Sequence, residues 1–204
     1  MPRRSKHPST KPDTQRLGLL MMLILVPALG FSHPHIWIDT AVTPRFNSAG
    51  LAELGVEWTF DEYYSSAVLV DADADGDGTL DPEEIAVVRE LMFSHLVSRS
   101  YFFFIFVNNR RLSIPEARSF TSSITQGRLV FQFTLDTPVP WQDLPALRIA
   151  NIDQSYYTDF LLTASETPIS TRGRSIQPYL PTETWDFGEW GRLPVQSLRF
   201  RILP

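Results

Sequence analysis

The chain has 204 residues and no cysteine, so disulfides and thiolate metal sites are excluded. Asp and Glu number 23 against 18 Lys and Arg, a net charge of −5. An acidic balance disfavours nucleic acid and anionic membranes as partners and favours cations.

The first 32 residues read as an export signal. Arg3, Arg4, Lys6, Lys11 and Arg16 form a basic start, and Leu17 to Leu29 an apolar core. Gly30 and Ser32 are small residues at the −3 and −1 positions of a cleavage site. The apolar run falls short of the roughly 20 residues a spanning helix needs. Cleavage after Ser32 removes five cations and only one carboxylate, Asp13, so the exported chain is more acidic still. Its remaining cations are all arginine. Residues 33–204 are then expected to form one exported domain, with a helical insertion at about 60–97.

Two alternating segments follow, His35 to Phe46 and Leu51 to Phe60, joined by the turn Asn47-Ser-Ala-Gly50. They predict a hairpin. A two-residue turn at Ser48-Ala49 would place Glu62 opposite His35, with Asp61 and Asp39 nearby.

The stretch Asp73-Ala-Asp75-Gly-Asp77-Gly78-Thr79-Leu80-Asp81-Pro82-Glu83-Glu84 has the spacing of a calcium loop. Ca²⁺ takes six to eight oxygen ligands, so carboxylates must converge from a tight coil. Asp73, Asp75 and Asp77 fill positions 1, 3 and 5, and Gly78 supplies the sharp bend at position 6. Thr79 lends a carbonyl at position 7, Asp81 coordinates directly or through water at 9, and Glu84 closes the shell at 12. Starting two residues earlier, at Asp71, puts Pro82 at position 12 and fails. Residues 60 to 71 can form the entering helix. Pro82, Glu83 and Glu84 suit the first turn of the exit helix, and Ile85, Val88, Leu91, Met92 and Leu96 recur at helical spacing. With one such loop and no second to pair with, these helices are expected to dock on the sheet through Tyr63, Val68, Met92 and Phe93, in a fixed role and not as an opening switch.

Beyond the exit helix the chain reads as strands: Tyr101 to Val107, Arg111 to Ile114, Ser119 to Thr125, Leu129 to Leu135, Leu147 to Ile152 and Tyr156 to Thr163. Asn108-Asn109 and Gln126-Gly127 mark turns. The tail from Thr167 is proline-rich, with a strand expected at Val195 to Ile202. The fold class is mainly β with an α insertion, an antiparallel β-sandwich carrying a single EF-hand helix-loop-helix.

His33-Pro34-His35 is a second metal motif. After cleavage, His33 offers its α-amine and imidazole together, and His35 lies on the same face of an extended segment. These nitrogens suit Ni²⁺, Co²⁺, Zn²⁺ or Cu²⁺. Pro34 has no amide hydrogen, which excludes a square-planar site built on deprotonated amides. His95, on the exit helix, reads as a core-edge residue.

Taken together, His33-Pro-His-Ile-Trp-Ile-Asp39, Val56-Glu-Trp-Thr-Phe-Asp61, the calcium loop and Ile152-Asp-Gln-Ser-Tyr-Tyr157 resemble an uncharacterised bacterial family of exported proteins, a domain of unknown function. The resemblance spans 33 to about 165. Members are described as the periplasmic component of an ABC-type transport system, with genes beside a nickel/cobalt-type permease. The resemblance implies localisation and transport context, with metal ions and a membrane permease as partners, and no mechanism. The leading expectation is a periplasmic calcium-binding accessory of transition-metal transport; the alternative is a calcium-stabilised module with no transition-metal role. An enzyme is the least supported class, since no nucleophile motif, phosphate loop or zinc-hydrolase signature appears.

Overall fold

Alternation of apolar and polar residues builds the first hairpin of the computed structural model, which describes residues 35–165 and 167–204. The expected signal segment and His33 lie outside the described residues. Strands β1 (Ile36–Phe46) and β2 (Gly50–Phe60) pair antiparallel. Ile38, Thr40 and Val42 bury one face of β1, and Leu54, Val56, Trp58 and Phe60 bury the matching face of β2. Asn47 closes the turn, its Oδ1 accepting from the Ala49 and Gly50 amides at 2.8 and 3.2 Å. A Cβ at Gly50 would lie 2.0 Å from the Val139 carbonyl oxygen, so only glycine fits there.

The pairing differs from the expected one. Arg45 faces Glu53 and Phe46 faces Leu51, so Ala52 bulges out and shifts every pair beyond it. Glu62 is therefore not opposite His35. Asp61 takes the strand end instead: its amide donates to the Trp37 carbonyl, and the Trp37 amide donates to its Oδ2, both at 2.9 Å.

Outside this hairpin lie β5 (Arg118–Thr125), β6 (Arg128–Pro140) and β8 (Thr158–Thr163), giving a five-stranded sheet in the order β5-β6-β2-β1-β8. β8 runs parallel to β1, so the sheet is mixed and not purely antiparallel. A parallel pair needs a long crossover, which the residues between β1 and β8 supply.

A second sheet joins β3 (Phe103–Val107), β4 (Arg110–Arg111) and β7 (Leu147–Asn151) in the order β4-β3-β7. β3 and β7 are largely buried along their whole length, which explains the unbroken apolar run of β3, whereas the two arginines of β4 are exposed. Phe103 and Ile105 join the main core, while Phe104 and Ala150 belong to a second cluster with Trp185 and Val195. The tail forms five strands where one was expected. β9 (Ile169–Thr171), β10 (Arg174–Tyr179) and β13 (Arg199–Leu203) make a third sheet, and β11 (Thr182–Asp186) with β12 (Arg192–Gln196) a ribbon. Proline hid these strands from sequence reading. Pro178 lies beyond the part of β10 that pairs with β9, and Pro194 sits on a two-stranded ribbon, so neither costs an inner ladder bond.

Between β2 and β3 run helix α1 (Glu62–Ala72), a loop, and helix α2 (Pro82–Val88). The helical path then widens into a π turn over Arg89–Phe93 and tightens into 3₁₀ turns over Ser94–Phe102. Ser65 anchors α1, its Oγ accepting from the Leu129 amide at 2.9 Å. Ala72, Val88 and Phe93 are buried in the core, with Val68, Leu80 and Met92 packed at its edge. Tyr63 does not dock: it is 83% exposed, and the neighbouring Tyr64 stacks on Phe60 instead, ring centroids 5.3 Å apart.

Candidate metal centre

The loop from Asp73 to Asp81 is shaped by its own short side chains. The Asp73 amide donates to the Leu69 carbonyl at 3.1 Å, ending α1. Gly76 and Gly78 then hold φ at +70° and +82°, the left-handed region that glycine enters without a Cβ clash. Asp73 Oδ2 accepts from the Gly78 amide at 3.1 Å, and Asp75 Oδ1 from the Asp77 amide at 3.2 Å. Asp77 Oδ1 accepts from both the Thr79 hydroxyl, at 2.7 Å, and the Thr79 amide, at 2.8 Å. These bonds hold the Asp77 carboxyl below the usual range.

Asp81 and Glu84 form a reciprocal cap on α2. Asp81 Oδ1 accepts from the Glu84 amide at 2.9 Å, and Glu84 Oε2 from the Asp81 amide at 3.0 Å. Glu84 also reaches back across the loop, its Oε1 accepting from the Ala74 amide at 2.6 Å, and it is only 7% exposed. This cross-loop tie was not anticipated; the spacing of Asp81 and Glu84 signals the cap alone.

One carboxylate oxygen each from Asp73, Asp75 and Glu84 lies within 4.8 Å of the others. Among the described residues no arginine forms an ion pair with them. Asp73 Oδ1 is buried without any hydrogen-bond partner. The donor set is all oxygen, as a hard divalent cation requires. The other expected ligands are near but turned aside: Asp77 faces Thr79, and Asp81 caps α2.

No comparable group surrounds the histidines among the described residues. His35 is exposed at the head of β1, its amide donating to the Tyr157 carbonyl at 2.9 Å and its ring 5.0 Å from the Tyr157 ring. Asp61 is engaged by the Trp37 and Tyr64 amides, and Asp39 by Arg128 at 2.8 Å. His95 is exposed and not at the core edge, since the widened turn rotates it outward.

Residues 18–179 match a family described as a protein of unknown function, DUF1007, and the chain belongs to that family. The match reaches into β10, farther than the expected limit near 165. An uncharacterised 15.5 kDa protein of the trpE 3′ region in Spirochaeta aurantia is 26% identical over 98 residues, 48% of this chain and 70% of its own length. An uncharacterised protein of Haemophilus influenzae is 29% identical over 110 residues, 53% of this chain and 50% of its own length. No solved structure matches.

Proposed function

We propose that this is an exported, periplasmic calcium-binding protein, with Asp73 to Glu84 as a single EF-hand loop carried on a β-sandwich. The observation that carries the reading is the convergence of the Asp73, Asp75 and Glu84 carboxylates, with Asp73 Oδ1 buried and unpartnered. Three like charges so close repel, and a buried acceptor without a donor is costly. One Ca²⁺ relieves both, with Asp77, Asp81 and the Thr79 carbonyl completing six or more oxygens. A stability measurement tests it. Calcium at about 100 times its Kd adds roughly 2.7 kcal/mol to the folded state, seen as a rise in Tm. Glu84→Gln removes the bidentate ligand, so most of that rise disappears; an equal Tm in calcium and in chelator contradicts the reading.

The second part of the proposal is that the protein serves a nickel/cobalt-type permease as a metal-binding accessory. His33 and His35 would capture Ni²⁺, Co²⁺, Zn²⁺ or Cu²⁺ at the new N-terminus. What supports it is the exposed position of His35 at the head of β1. The alternative is a calcium-stabilised structural or binding module, favoured by the engagement of Asp39 and Asp61 elsewhere. Nickel titration of the metal-stripped protein separates the two: binding lost in His35→Ala supports the accessory, and binding that is absent or independent of His35 leaves the module.

A further inference from the structure

Nine non-glycine residues hold a left-handed backbone among the described residues. Asn108, Asn109, Gln126 and Arg172 sit in tight hairpin turns, where that conformation matches the strand twist. Ser119 lies in the β5 bulge. Four remain: Ser100, Tyr101 and Phe102, which make one left-handed turn at φ 52°, 52° and 57°, and Tyr156 at 57°. A left-handed turn of L residues is unfavourable at every position and persists only where its surroundings impose it. Here they do. Tyr101 is 1% exposed and its hydroxyl accepts from the Ala117 amide at 2.9 Å. The Asn151 side-chain amide donates to the Tyr101 carbonyl at 3.3 Å, and the Ile152 amide to the Phe102 carbonyl at 2.8 Å.

All four residues lie in or beside one cleft of about 440 Å³, formed between residues 98–104 and 152–155 together with Arg111. Arg99 and Arg111 line it. Among the described residues neither has an ion-pair or hydrogen-bond partner; Arg111 only covers the Phe104 ring, at 4.3 Å. Asp153 is the one carboxylate in the lining; it forms no ion pair with either arginine, and leaves the lining with two cations to one anion. It is 7% exposed and already accepts from the Ser155 amide and hydroxyl, at 2.9 and 2.7 Å, and from the Thr158 amide at 3.1 Å. Phe102 and Phe104 supply an apolar wall. Merely solvated arginines would need neither the strained turn nor the concave surface.

We propose that this cleft binds a small amphipathic carboxylate. The anionic head pairs with the guanidiniums of Arg99 and Arg111, which match carboxylate geometry in a bidentate fork. The apolar body lies against Phe102 and Phe104. The site is separate from the metal loop, and the inference rests on none of the calcium reading.

Calorimetric titration of the purified protein with benzoate, and with benzamide as its uncharged analogue, tests this. Benzoate binds saturably, and benzamide binds at least about tenfold more weakly because charge-assisted bonds are the stronger ones. The double variant Arg99→Gln, Arg111→Gln loses about tenfold or more in benzoate affinity while its ligand-free unfolding remains a single cooperative transition. No saturable benzoate binding, equal binding of benzamide, or undiminished binding by the double variant overturns the proposal.

Discussion

Trp58 is 1% exposed, wedged between Phe133 and Phe160, with ring centroids 5.0 and 5.4 Å away. Its indole N–H is buried without a partner. Two substitutions therefore diverge. Trp58→Ala leaves a large cavity and costs about 3–5 kcal/mol. Trp58→Phe also loses volume, but it removes the stranded donor, which by itself costs about 1–3 kcal/mol, so the terms nearly cancel. Urea unfolding at pH 7 measures both; a phenylalanine variant as unstable as the alanine one contradicts this account of the N–H. Asp73 Oδ1 is also a stranded polar atom, but no such substitution is open to it, because its carboxylate also holds the Gly78 amide.

The ribbon of β11 and β12 is tied to the third sheet through Glu183. Burial raises its carboxyl, but hydrogen bonds from Ser197, at 3.0 Å, and Arg199 outweigh this and hold it below its ordinary value of 4.5. A carboxyl depressed on folding adds stability that is present above 4.5 and lost as pH falls through its folded value. Wild type should thus lose more stability than Glu183→Gln between pH 7 and pH 3, read by urea midpoints at each pH. Equal losses would show that the Glu183 pairing contributes nothing. At this level the sequence was legible wherever information is local. The β1–β2 hairpin followed from alternation and from Asn47 and Gly50. The Ala52 bulge did not, because nothing in Leu51-Ala-Glu53 marks which residue drops out of register. Adjacent Tyr63 and Tyr64 are equally apolar, and only the sheet beneath them decides that Tyr64 packs. The parallel β1–β8 pair joins residues more than a hundred positions apart, and no local pattern encodes it.

For the molecule as a whole, the loop is joined to the core at both ends. Ala72 is buried just before Asp73, Leu80 packs inward from within the loop, and Val88 and Phe93 are buried just beyond Glu84. Ordering the loop therefore reaches the main core, and a bound ion can serve a chain without cysteine as a cross-link. The convergence of Asp73, Asp75 and Glu84 follows from spacing, because a twelve-residue loop is closed by its own residues; that Asp77 would turn to Thr79 and Asp81 to the cap of α2 does not. The arginine cleft was not legible: Arg99, Arg111 and Asp153 meet only through the left-handed turn at Ser100–Phe102, a conformation no residue type there announces. Calorimetric titration of the chelator-stripped protein with Ca²⁺ is the most direct test of the central claim. The account predicts one ion per chain for wild type and none at the same concentrations for Glu84→Gln; a wild-type protein that takes up no calcium, or a variant that takes it up equally well, would contradict it.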